Sequence, residues 1–242
     1  GHGPSGLAFG SSGTQLYVSN YASNTVSVID PVANRVAATV ATRKKPLEMA
    51  VDDLRGQLWV TDYDSARVSV VGTFSNTVLT TLRVGEKPFG VAVDATRGRV
   101  FVTNASSDSV SILDATTCGT THEVPVGRGP FGVGVDPSGA HVYVANSTNG
   151  TAAHIDPTAS IVTTNLPVGA TPVAFGQFIG AVTNGCLRAA AQCDDGDPAT
   201  RHGLGIAGWT VFLDLDYDGQ RGPSEPSAET QADGSYLISE LD

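Results

Sequence analysis

Residues 46–72 read PLEMAVDDLRGQLWVTDYDSARVSVVG. The stretch holds three short apolar runs, PLEMAVD, QLWVTD and RVSVVG, each cut off by turn-forming residues. Val68, Ser69 and Val70 alternate apolar and polar, the two-residue period of a strand with one buried face. A fourth run, TVLTTLR at 77–83, completes the unit, and Pro88 starts it again.

Outward from this unit the same text recurs. Pro4, Pro46, Pro88, Pro130 and Pro172 stand 42 residues apart, as do Tyr17, Trp59, Phe101 and Tyr143, and as do Asn20, Asp62, Asn104 and Asn146. Four short strands in a fixed period of about 40–45 residues is the pattern of a propeller blade. The expected fold is therefore all-β: four four-stranded blades of 42-residue period, a partial propeller forming an open arc, plus a truncated small β-sandwich domain. The aromatic column is expected between neighbouring sheets, burial being worth roughly 2–3 kcal/mol per ring. The proline opens the innermost strand, where its missing N–H costs no ladder bond. The Asn/Asp column reads as a set of caps on the turns that follow.

Composition narrows the function. A formal net charge of −10 on 242 residues repels nucleic acid and anionic membranes, and makes a cation the natural small partner. No apolar run approaches the ~18–20 residues of a spanning helix, so no membrane insertion is expected in this segment. The chain begins with Gly1 rather than Met and at a blade boundary, so the true N-terminus, any signal peptide and earlier blades are expected to lie outside the sequence. Cys186 and Cys193, seven positions apart, are a disulfide pair or two unpaired thiols; Cys118 stands alone.

The strings YVSN, WVTD, FVTN and YVAN, followed by TVSVID, RVSVVG and SVSILD, resemble the YVTN family of β-propeller repeats across residues 1–180. The resemblance implies a propeller, commonly seven-bladed, in secreted or surface proteins of bacteria and archaea, with no single activity attached. Residues 181–203 read as a linker whose Asp194, Asp195 and Asp197 are solvated. From Gly205 the text GIAGWTVFLDLDYDGQRGPSEPSAETQADGSYLISELD resembles the B-type repeats of surface adhesins in the Cna-B-like, prealbumin-like group, which implies a small β domain at 204–242.

Chemistry concentrates in that last segment. Asp214, Asp216, Asp218, Gln220 and Glu225 stand at positions 1, 3, 5, 7 and 12 of a loop with Gly219 at position 6, the spacing of an EF-hand calcium site. Alternate short carboxylates point inward, Gly permits the sharp turn, Gln220 offers its carbonyl, and Glu225 closes the sphere. The competing reading is an acidic hairpin with a turn at Asp218-Gly219.

Elsewhere the residues read structurally. His154 replaces the apolar residue of Val28, Val70 and Ile112, which degeneration of the last blade explains. His2, His122, His141, His154 and His202 share no spacing. Arg43, Lys44 and Lys45 form a solvated inter-blade loop. No nucleophile elbow, zincin motif or phosphate-cradling loop is present. The function expected is a secreted or cell-surface binding or scaffolding protein with a protein or glycan ligand, its propeller a recognition platform and its second domain a calcium-stiffened stalk. The alternatives are a lactonase- or lyase-type propeller enzyme and a structural surface-layer component.

Overall fold

A computed structural model describes residues 1–10 and 13–173, together with the backbone of two short strands at 210–212 and 227–229. The chain divides into two compact units, Gly1–Ala181 and Val182–Asp242.

The first unit is four consecutive antiparallel sheets, each a four-stranded meander. Sheet one is β1 (Pro4–Phe9), β2 (Leu16–Asn20), β3 (Thr25–Asp30) and β4 (Arg35–Ala41); sheet two is β5 (Pro46–Asp52), β6 (Gln57–Asp62), β7 (Arg67–Gly72) and β8 (Thr77–Arg83). Sheet three is β9 (Pro88–Asp94), β10 (Arg99–Asn104), β11 (Ser109–Asp114) and β12 (Gly119–Pro125); sheet four is β13 (Pro130–Val135), β14 (Val142–Asn146), β15 (Thr151–Asp156) and β16 (Ile161–Pro167). Each first strand begins on its proline, and it is an edge strand, as the missing N–H requires. First strands of successive sheets run side by side, β1 by β5, β5 by β9 and β9 by β13. The unit is a partial β-propeller, and no helix occurs among the described residues.

Sheets pack face to face through the aromatic column. Tyr17, Val26 and Val28 of the first sheet meet Met49, Leu58 and Val60 of the second. Trp59, Val68 and Val70 meet Val100, Val102 and Leu113, and Phe101, Val110 and Ile112 meet Val142, Val144 and Ile155. Tyr17, Trp59 and Phe101 are buried as the repeat requires, but Tyr143 is only half-buried. Its column faces forward, and among the described residues no fifth sheet covers it.

The Asn/Asp column corrects the turn-cap reading. These side chains reach back across the hairpin: Asn20 Nδ2 donates to Ser27 Oγ at 2.9 Å, and Asn104 Nδ2 donates to Ser111 Oγ at 2.9 Å. Asn146 Nδ2 donates to Thr151 Oγ1 at 3.1 Å, and Asp62 Oδ2 accepts from Ser69 Oγ at 2.6 Å. All four are buried, so the amide or carboxyl answers a hydroxyl on the adjacent strand rather than a solvent-facing turn.

A second polar column joins blade to blade. Behind each proline the first strand bulges, with register shifts at Pro4/Leu7, Pro46/Met49 and Val102/Asn104. The freed N–H of Gly6, Glu48 and Gly90 is taken by Ser19, Thr61 and Thr103 Oγ at 2.7, 3.0 and 2.8 Å. The same hydroxyls donate forward to the carbonyls of Leu47, Phe89 and Phe131 in the next blade, at 2.6, 2.8 and 2.6 Å. The equivalent residue of the fourth blade is Ala145, which has no hydroxyl to offer.

In the second unit, β17 (Thr210–Phe212) pairs antiparallel with β18 (Ser227–Glu229). Asp214, Asp216, Asp218, Gln220 and Glu225 belong to the connection between these two strands and lie outside the described residues, as do Cys186 and Cys193. Cys118 is a free thiol. It sits at φ 51° in the β11–β12 turn, where the other blades place Asn34, Asn76 and Ser160, also at positive φ. Burial, then the Asp114 charge, pushes its thiol pKa up, away from the thiolate that reactivity needs.

Candidate functional site

One rim of the propeller, built from the β2–β3 hairpin tips and the loops entering each first strand, carries an aromatic row. Tyr21 and Tyr63 follow the Asn/Asp column directly; Phe89 and Phe131 follow the prolines. Tyr21 and Tyr63 have ring centroids 6.4 Å apart, Tyr63 and Phe89 lie 6.3 Å apart edge to face, and Phe89 and Phe131 lie 4.5 Å apart. Such tilted and edge-on pairs are the geometry the ring quadrupole favours. The row borders a groove of about 470 Å³ lined by Pro4, Ser5, Tyr21, Leu47, Tyr63 and Phe89.

Two lysines lie along the row. Lys45 Nζ stands 5.3 Å over the Tyr21 ring, and Lys87 Nζ stands 4.7 Å over the Tyr63 ring. Both lysines hold positive φ, 57° and 53°, in the loop position that Gly3 and Gly129 occupy in the other blades. Asp64 lies between them, accepting from Lys45 Nζ at 2.6 Å and also from Lys87 Nζ. Hydrogen bonds from Lys45 and Lys87 hold the Asp64 carboxyl well below the usual carboxylate range, at about 2, and the same bonds raise both lysines. Two lysines share one carboxylate beside the groove.

The solvated-loop reading of Arg43, Lys44 and Lys45 needs revision for Lys45, which is pinned by Asp64 and Tyr21; Arg43 and Lys44 are exposed, with the Arg43 N–H turned to the buried Asp62. In the other blades the loop residue crossing the Asn side chain is Gly1, Gly85 or Gly127, where an added Cβ would stand 2.2, 2.6 and 2.6 Å from that side chain. The second blade has Arg43 there, whose backbone N–H donates to Asp62. Burial pushes the Asp62 carboxyl up to about 6, against the pull of the Ser69 hydroxyl and of the Arg43 N–H and charge.

The concave inner surface is a different environment. Leu7, Phe9, Met49, Val51, Val91 and Val93 line a cavity of about 440 Å³, with Asp53 at its edge. Its lining is mainly apolar, as the inner-strand sequences imply. No group of three or more His, Cys, Asp or Glu converges among the described residues.

The aromatic-lysine rim leaves little trace in the sequence because its members come from four blades. One signal is present: Tyr21 to Lys45 and Tyr63 to Lys87 are the same 24-residue step.

Comparison with known proteins defines the fold class and leaves the family open. No family model matches the chain, and no curated protein matches it. Many solved structures are similar. One is a Kuenenia stuttgartiensis hydrazine synthase, with a TM-score of 0.67 at 18% identity over 99% of this chain. That likeness is of fold, and this chain spans 66% of the length of that one. No helix among the described residues is long and apolar enough to cross a membrane.

Proposed function

We propose that this chain is a secreted or cell-surface recognition and scaffolding protein, with YVTN-type blades presenting the rim groove and a Cna-B-like second unit acting as a calcium-stiffened stalk. The observation that carries the reading is the row Tyr21, Tyr63, Phe89 and Phe131 with Lys45 and Lys87 held along it. The half-buried rings of Tyr21, Tyr63 and Phe131, backed by the buried Phe89, offer an aromatic strip that suits the C–H faces of sugar rings, and a partly compensated lysine pair suits an acidic group on such a sugar. The ligand class that follows is an acidic glycan. For the stalk, Asp214, Asp216, Asp218, Gln220 and Glu225 supply the calcium ligands.

The test is calorimetric titration of the full chain with uronic-acid oligosaccharides and with neutral glucan oligosaccharides. Acidic oligomers are expected to bind, Tyr63→Ala to weaken them by about tenfold, and Lys87→Ala to erase the preference over neutral oligomers. Absence of heat with both series rejects the glycan reading.

A further inference from the structure

The forward face of the fourth blade differs chemically from the other three. Where Val28, Val70 and Ile112 are buried between sheets, His154 stands on β15, half-exposed. Tyr143 opposes it in register on β14, and His141 precedes Tyr143 by two residues on the same face. Thirteen residues apart in the chain, the two imidazoles meet: His141 Nδ1 lies 2.9 Å from His154 Nε2, with ring centroids 5.0 Å apart. The Tyr143 ring lies against His154 at 4.9 Å.

Thr163 on β16 fixes which nitrogen of His154 carries the proton. Its single hydroxyl proton goes to the His154 carbonyl at 3.2 Å, so Thr163 Oγ1 accepts from His154 Nδ1–H at 2.5 Å. Both contacts are satisfied together only in that arrangement. In the neutral ring, His154 Nε2 is thereby left as a lone pair facing His141, whose Nδ1 then donates to it. A ligating imidazole whose other N–H is held by an oxygen is the usual outer-shell arrangement of a histidine metal ligand.

We propose that His141 Nδ1 and His154 Nε2 form a two-imidazole chelate for a divalent transition-metal ion, with copper(II) preferred. Two nitrogens bound cis to a square-planar ion at about 2.0 Å stand about 2.8 Å apart, whereas on a tetrahedral ion they stand about 3.3 Å apart. The 2.9 Å contact is the His141–His154 hydrogen bond, so it brings the two nitrogens within chelating reach, and the preference for copper(II) follows from its place at the top of the divalent affinity order for imidazole. Binding moves the His141 proton from Nδ1 to the outward Nε2, so neutral imidazole loses no proton. The lone-pair directions must swing by about 45° at each nitrogen, through ring rotation, to meet at the ion rather than on the other nitrogen. Water fills the remaining positions, because among the described residues no third His, Cys, Asp or Glu converges there.

The test is copper(II) titration of the full chain carrying His2→Ala, which removes the amino-terminal glycine-histidine pair as a competitor, followed by pulsed electron paramagnetic resonance. One copper with two coordinated imidazoles is expected. Thr163→Val is expected to weaken binding about tenfold, and His141→Ala or His154→Ala to weaken it further and leave one imidazole in the spectrum. A spectrum with a single imidazole before mutation, or unchanged affinity in the double His→Ala chain, overturns the assignment. On the unsubstituted chain, copper should also protect His141 and His154 from carbethoxylation read by mass spectrometry; equal modification with and without copper overturns it independently of any variant's folding.

Discussion

Asp62 occupies the position held by Asn20, Asn104 and Asn146, and its carboxyl is raised to about 6 by burial. The sign follows from linkage. Below pH ~4 the carboxyl is protonated folded and unfolded alike; between pH ~4 and ~6 only the unfolded chain ionises it, so stability falls as pH rises, and above ~6 the loss is constant. Holding the carboxyl that far above its ordinary range costs roughly 2–3 kcal/mol at most. Asp62→Asn should therefore stabilise the first unit by about 1–2 kcal/mol at pH 7 and have little effect at pH 4, because an amide can donate to Ser69 as Asn20 does to Ser27. Denaturant melts at the two pH values check this, and equal midpoints for variant and parent at pH 7 would refute it. The exception in the column is plain in the sequence as a single letter. What stays hidden there is that the column faces inward, since the hydroxyls that answer it sit up to seven residues away on the next strand.

At the scale of the strand, the bulge behind each proline and the hydroxyl that serves it decide how closely blades approach. Thr103→Val keeps the volume and removes the link, leaving the Gly90 N–H and the Phe131 carbonyl without that partner, at a cost of about 1–3 kcal/mol in a urea melt. Gly90→Ala should cost more than Thr103→Val. The added Cβ would stand 2.4 Å from the Phe131 carbonyl oxygen, which is backbone and can yield only by moving the fourth blade. A Gly90→Ala midpoint above that of Thr103→Val would show that the sheets separate freely. Strand number, strand starts and the aromatic column are all legible in the 42-residue period, because two-residue alternation and turn residues are local signals. The hydroxyl column is not, since Ser19, Thr61 and Thr103 read as ordinary polar strand positions until the bulge that frees their partners is seen. Tyr143 departs from its column because burial there depends on the sheet in front and not on the residue itself. The groove and the His141–His154 pair are hidden for a related reason: their members sit on or beside periodic columns, but the contacts that join them run between columns, which the period does not show.

The whole molecule carries its charge unevenly. Residues 182–242 hold eleven of the 24 acidic residues and three of the 14 basic ones. The two units, Gly1–Ala181 and Val182–Asp242, should then answer differently to divalent cations. Thermal melting of the full chain is expected to show two transitions, of which calcium at tenfold Kd raises only that of the second unit, by about 1.4 kcal/mol. Glu225→Ala should abolish most of the rise and Glu229→Ala should not. Identical traces in calcium and in chelator would leave the acidic hairpin as the account of that loop.

Five of the forward links between blades end on main-chain oxygen. Ser19, Thr61 and Thr103 donate to the carbonyls of Leu47, Phe89 and Phe131, and Arg55 Nη1 reaches the Ala95 carbonyl at 2.7 Å while Arg97 Nη1 reaches that of Ser138. A carbonyl is the same whatever side chain its residue bears, so the receiving blade is free to drift at those positions without losing its predecessor. Such a joint suits gene duplication. A newly copied unit meets a compatible neighbour on arrival, with no matching substitution required in the older copy, and lineages can lengthen or shorten the array by whole 42-residue steps. A gene carrying residues 88–129 twice in tandem should accordingly yield a soluble, folded product, and recovery of that product only as aggregate would argue that the blades are not interchangeable.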